Sequence, residues 1–219
     1  MTNTFLFSKE HLIILFTFAI FVYYCPKLTK NLLPYSYIAE KIICGLIILE
    51  IVFEQVSIVS MGSYNVLHSL PIEISRFCAY ICIAILFFKQ YQLFNVFFSW
   101  SLVCSIGEII FFKDMQYRFP NILYFLFIFS KFLLIYANVY MVEVRKFKIN
   151  KNAIRDNLIM CTVYFSFIIL LNNLTYANYN YSFSSSNLIS IFIFMSITTI
   201  IYIPIIIYDK DNFNFKFKR

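Results

Sequence analysis

Seven apolar runs, each near the ~20 residues needed to cross a bilayer, occupy most of this chain and leave no room for a separate soluble unit. They fall at roughly 10–25, 36–58, 70–88, 91–112, 120–143, 154–174 and 186–208. The pattern predicts an all-α polytopic membrane bundle of seven transmembrane helices, one transmembrane domain over residues 1–219. Composition agrees. The chain is 61% hydrophobic and 13% charged, against about 45–50% and about 25% in soluble domains. A soluble core of this size could not hide so much apolar surface.

Prolines punctuate the runs. Pro26 and Pro34 bracket the first connection, Pro120 opens the fifth span, and Pro204 predicts a kink in the seventh. Pro71 is expected in the first turn of the third span, where its missing N–H costs nothing. Basic residues set the expected orientation. Twelve flank alternate connections, from Lys27 and Lys30 through Lys89 and the Arg145–Arg155 cluster to the C-terminal tail. The opposite side holds three: Lys9, Lys113 and Arg118. This places the N-terminus outside and the C-terminus in the cytoplasm, which an odd number of spans satisfies. The first run lacks the flanks and small-residue site of a cleavable signal, and "FVYYC" lacks those of a lipidated cysteine, so that run is expected to remain as a helix. Richness in Ile, Phe, Asn, Tyr and Lys suggests an AT-rich bacterial genome and a bacterial inner membrane.

Several function classes drop out. Three glycines (Gly45, Gly62, Gly107) cannot build a phosphate loop or dinucleotide fingerprint, and no cofactor is expected. The six cysteines are scattered without a CxxC pair and fit small apolar packing residues. His11 and His68 are too far apart to complete a zinc site, so no metal is expected. The net charge of +7 is mainly the cytoplasmic fringe, which meets anionic lipid and needs no nucleic-acid partner. No internal repeat of the kind found in many transporters is evident. The one longer outer loop, Asn172 to Asn187, is polar and aromatic, and its Asn173-Leu174-Thr175 triplet is a weak glycosylation signal.

What remains is a small set of ionisable residues inside the runs: Glu50 and Glu54, Glu73 and Arg76, Glu108, and Lys131. Glu40 and Lys41 lie close enough to an interface to snorkel. A charge at the bilayer centre costs at least ~2.5–3.5 kcal/mol, so these groups must face the bundle or a wet cavity and find partners. Glu50 and Glu54 share a helix face, and Glu73 and Arg76 are spaced to bond each other. Lys131 needs an acid from another helix. These groups either fix the packing as interhelical bridges or line a polar cavity, open to the outer leaflet, for a headgroup or ion.

Several segments carry a resemblance. "FSKEHLIILF" (Phe7 to Phe16), an acid at Glu50, the stretch Ser69 to Phe112, the stretch Phe119 to Val142, and Asn172, Asn178 and Tyr179 recur in order. In these the chain resembles the YwaF-like family of bacterial integral membrane proteins, related to a eukaryotic seven-helix lipid acyltransferase family. The resemblance covers most of the chain, although each motif is short. It also exposes two departures. Where the family reads approximately Leu-Pro-Leu-His-Leu-Cys, this chain has Leu70-Pro71-Ile72-Glu73-Ile74-Ser75. Where the family has Ser-His-Gly on the fifth span, this chain has Ser130-Lys131-Phe132. The resemblance implies that the Cys and the fifth-span His are the nucleophile and base of the acyltransferases, a pairing suited to acyl transfer near neutral pH. Both are replaced here.

Three readings follow. The first is a non-catalytic relative with an outward-facing polar pocket that binds membrane lipid by its headgroup, or a small polar ligand. Its pocket residues would be Glu50, Glu54, Glu73, Arg76, Glu108, Asn172, Asn178 and Tyr179. The second is an acyltransferase with a rebuilt site, Ser75 as nucleophile and Lys131 as base; Cys78, one turn on, is a weaker substitute thiol. The third is a transporter of a small solute or ion. Loss of both catalytic groups favours the first, with Glu73 expected to pair with Lys131 or Arg76.

Overall fold

The structure, a computed structural model, describes residues 9–31, 33–110, 121–177, 179 and 188–208. The described residues are helical, without strands. The helices are α1 (Lys9–Lys30), α2 (Ser36–Ser60), α3 (Val66–Ser69), α4 (Ile74–Leu86), α5 (Phe94–Ile110), α6 (Ile122–Glu143), α7 (Ala153–Thr175), α8 (Leu188–Ile200) and α9 (Tyr202–Tyr208). Among the described residues, six stretches are long and apolar enough to cross a membrane: α1, α2 with the turn before it, α5 with the turn before it, α6, α7, and α8 running into α9. The apolar helix α4 is shorter, at 13 residues.

Hydroxyls within these apolar helices bond their own backbone. Thr17 donates to the Ile13 carbonyl at 2.8 Å, Ser57 to Phe53 at 2.7 Å and Thr162 to Leu158 at 2.9 Å, so none is stranded in apolar surroundings. Asn121 caps α6 by accepting from the Leu123 N–H at 2.9 Å. Gly62 turns the chain off the end of α2 at φ +66°, a conformation that favours glycine.

Helix α5 is the most enclosed, packed between α4, α6, α7 and α8, while α2 and α1 close on α6. Trp100, Phe97, Tyr140 and Phe194 are fully buried at the centre. Cys44, Cys78, Cys82, Cys104 and Cys161 join the same core, and all six cysteines are buried and free, as small apolar packing residues should be. Phe16, Leu49, Ile189 and Phe192 instead point outward and are at least 65% exposed. An apolar rim around an apolar core suits a protein solvated by lipid.

Ion pairs mark one end of the bundle. Lys30 at the end of α1 lies 3.7 Å from Glu143 at the end of α6. Arg145 lies 3.0 Å from Glu40 near the start of α2, and its guanidinium also reaches the Tyr91 hydroxyl at 3.3 Å. The Lys41 ammonium sits 4.3 Å from the Tyr37 ring. The opposite end carries residues 61–73 and Tyr179, whose hydroxyl donates to the Val66 carbonyl at 2.8 Å.

Three prolines act differently from the sequence expectation or sharpen it. Helix α1 does not stop at Pro26 but continues to Lys30. The ring removes one backbone donor, while Thr29 in the next turn donates to the Cys25 carbonyl. Pro71 lies outside α4, three residues before its first residue, so the expected span 70–88 is helical only from Ile74 to Leu86. The seventh run does break, at Ile201. Pro204 would clash with the carbonyl four residues back, that of Ile200, where α8 ends. Pro120 and the connection around it lie outside the described residues.

The shortness of α4 has a structural consequence. The Ile72 carbonyl accepts from the Tyr164 hydroxyl at 2.9 Å, and Tyr164 is halfway along α7. The Pro71 carbonyl accepts from Tyr80 at 2.9 Å. The non-helical segment before α4 therefore dips into the bundle, and α4 begins at mid-depth rather than at its edge. Irregular backbone at that depth is tolerable only where protein surrounds it or a wet cavity borders it.

Candidate functional site

Glu50 and Glu54 of α2, Arg76 of α4, Glu108 of α5 and Lys131 of α6 gather around the buried start of α4. Arg76, in its first turn, is 6% exposed. Its guanidinium takes both acids of α2: one nitrogen pairs with Glu50, and the other lies 2.6 Å from Glu54. A fork of N–H donors meeting two carboxylates one turn apart is the arrangement to which arginine is best suited. Lys131, 2% exposed on α6, pairs with Glu108 of α5 at 2.6 Å, with its ammonium 4.6 Å from the Phe127 ring.

These pairings correct two expectations. Glu73 bonds neither Arg76 nor Lys131. It is the residue before α4, with ψ 155°, so the one-turn spacing that would bring Glu73 and Arg76 together on a continuous helix does not apply. Lys131 reaches neither Glu73 nor Ser75 but Glu108.

Glu73 is the least constrained of the set. Its carboxylate makes no capping bond to its own helix and has no hydrogen-bond or ion-pair partner among the described residues. It lines an open cavity of about 350 Å³, together with Glu54, Arg76, Gln55, Asn65 and Ser69. Asn65 caps the short α3: its side chain accepts from the Leu67 N–H at 2.9 Å, and its backbone N–H donates to the Ser69 hydroxyl at 3.0 Å. Gln55, Asn65 and Ser69 were not singled out from the sequence. Their only signal is that they follow the charged face of α2 into the irregular segment.

Ser75 and Lys131 do line a common space, but a small one. A cavity of about 10 Å³ is bordered by Glu50, Ser75, Arg76, Ser130 and Lys131. Ser75 is 3% exposed and has no hydrogen-bond partner among the described residues. Ser130 donates to the Phe127 carbonyl at 2.7 Å.

Asn172 and Tyr179 form a brace at the same end. The Asn172 amide donates to the Tyr179 carbonyl at 2.9 Å and accepts from the Tyr179 N–H at 3.0 Å. With its hydroxyl on Val66, Tyr179 ties the end of α7 to the wall of the larger cavity, and burial pushes its phenol pKa up. Neither residue lines that cavity. Asn178 lies outside the described residues. His11 is a packing residue: its Nε2–H donates to the Ile109 carbonyl at 2.9 Å across α1 and α5.

The comparisons agree with a membrane bundle. A family model described as the TMEM164 family matches residues 6–208, most of the chain. No curated protein and no solved structure matches it.

Proposed function

The chain belongs to the TMEM164 family of multi-pass membrane proteins, and from that premise we propose that it is a non-catalytic binding protein whose polar pocket engages a lipid headgroup or small polar ligand. The observation that carries this reading is Glu73. A carboxylate without a partner among the described residues, beside a 350 Å³ cavity also bordered by Glu54 and Arg76, is a group kept for something outside the chain. The cavity is in the range of small-molecule sites, and both carboxylates and a guanidinium border it.

Two features weigh against retained acyl transfer. The Lys131 ammonium is held 2.6 Å from the Glu108 carboxylate and makes no bond to Ser75, so Ser75 has no base in hydrogen-bond reach. The space between Ser75 and Lys131, about 10 Å³, has no room for an acyl group. The replacement of the family's Cys and His, implied by the YwaF-like resemblance, points the same way. The rebuilt-enzyme reading keeps one specific observation in its favour, that Ser75 and Lys131 border one space. It predicts a covalent acyl adduct on Ser75 after incubation with phospholipid, absent in Ser75→Ala.

The membrane arrangement proposed is seven crossings of a bacterial inner membrane, with α4 as the short one. At 13 residues α4 rises about 20 Å, against about 30 Å of hydrocarbon, and residues 61–73 complete the crossing. The basic end, with Lys30, Arg145 and Lys146, is cytoplasmic by the positive-inside rule. The pocket then opens outward. The test is mass spectrometry of lipid copurified with the wild type and with Glu73→Gln and Glu54→Gln. The reading expects a bound lipid or polar small molecule that is depleted in both variants. Equal recovery from all three proteins would remove it.

A further inference from the structure

We infer that the chain holds one buried water at the junction of α2, α4 and α6, and that this water joins its two separate charged groups into a single network. The space is the cavity of about 10 Å³ between Glu50, Ser75, Arg76, Ser130 and Lys131. That volume is the size of about one water. A buried void of this kind stays dry when its walls are apolar and takes water when polar groups face it without partners.

Two such groups are present. Glu50 is 5% exposed, and although one carboxylate oxygen takes Arg76, Oε1 is buried without a hydrogen-bond partner among the described residues. The Ser75 hydroxyl, 3% exposed, also lacks one among the described residues. An orphan carboxylate oxygen at this depth is costly unless something donates to it. The Lys131 ammonium, with one ion pair to Glu108, has N–H groups left to donate. A water that donates to Glu50 Oε1 and accepts from both Lys131 and Ser75 satisfies all three.

The walls also select what can sit there. A guanidinium and an ammonium border the space, so a metal ion or small ammonium is repelled. The Glu50 carboxylate repels an anion. The ligand must be neutral and able both to donate and to accept, which at this size means water. The consequence is a polar chain from Glu54 through Arg76, Glu50 and the water to Lys131 and Glu108, spanning four helices. Ser75 then serves as a water ligand.

The experiment is an experimental structure of the full chain in lipid, at a resolution that resolves ordered waters, with crystals soaked in rubidium or bromide as controls. A peak within hydrogen-bond distance of Glu50 and Ser75, without anomalous signal, is the expected result. No peak, or a peak with rubidium or bromide signal, overturns the inference. Ala79, which borders the same cavity, gives a second measurement. Ala79→Ser adds a hydroxyl where the water sits, while Ala79→Val adds only methyl groups. A wet site requires the Val variant to melt below the Ser variant. A Val variant as stable as Ser, or more so, means a dry void and overturns the inference.

Discussion

Two of the buried polar centres among the described residues are built on opposite plans. Around Asn157 the groups are neutral and saturated. The Trp100 indole donates to its carbonyl oxygen at 2.7 Å, its amide donates to Thr198 and Thr199 at 3.1 and 3.2 Å, and Thr198 in turn donates to the Phe194 carbonyl at 2.9 Å. Trp100, Asn157 and Thr198 are all fully buried. Around Arg76 the groups are charged, acids outnumber bases, Glu50 Oε1 and Glu73 take no bond from any described residue, and a 350 Å³ cavity opens beside Glu73. The contrast separates two uses of buried polarity. A closed network fixes how α5, α7 and α8 pack; on the proposed reading, the charged one beside the cavity receives a ligand.

The contrast breaks most sharply at Arg76. Arg76→Met leaves Glu50 and Glu54 as uncompensated carboxylates, and removal of one partner of a buried pair typically costs about 3–5 kcal/mol. Chemical or thermal unfolding in bicelles should register this as the largest loss of any single change considered. The triple variant that adds Glu50→Gln and Glu54→Gln should recover most of it, because no charge is then stranded. If the triple variant is no more stable than Arg76→Met, the loss was packing and not charge.

Lys131→Met should come next, for the same reason and with one partner. Glu108 keeps some access to solvent, at 14% side-chain exposure, so the cost should fall toward the lower end of about 3 kcal/mol. Adding Glu108→Gln should reverse it, read in the same unfolding assay.

The neutral centre should be cheaper to break. Asn157→Leu removes the acceptor of Trp100 and the donor to Thr198, and a buried group left unsatisfied costs about 1–3 kcal/mol. Ligand recovered with the purified protein should be unchanged, since Asn157 is remote from the pocket. Lost ligand at unchanged stability would mean the two centres are not separate.

How much of this could be read from residues alone follows the same division. Helix limits were legible because they depend on local hydropathy: α2, α6 and α7 fall within a few residues of the expected runs. That Glu50, Glu54, Arg76, Lys131 and Glu108 would seek each other inside was also legible, since desolvation leaves them little alternative. Which acid takes which base was not. Lys131 chooses Glu108 through the register between α5 and α6, which no spacing along the chain encodes. Glu73 and Arg76 were misjudged because one-turn spacing assumes an unbroken helix through Pro71, and α4 starts only at Ile74. Asn157 was missed because a lone asparagine in an apolar run gives no hint of which helices it will join.

The smallest expected effect on stability is the most telling. Glu73→Gln removes a charge that no described residue pairs with and no helix cap uses. Its unfolding midpoint should therefore stay within the ~0.5 kcal/mol typical of substitutions away from such features, or rise slightly as the surplus of acids falls. If Glu73 is a packing residue like those around Asn157, the substitution should cost at least as much as Asn157→Leu and leave bound ligand untouched. If the Arg76 centre is a receptor, the order inverts, with stability kept and ligand lost. Native mass spectrometry of the variant beside its melting curve reads both quantities from one preparation. A group that costs nothing to remove and everything to binding is held in place by the bundle but not for it.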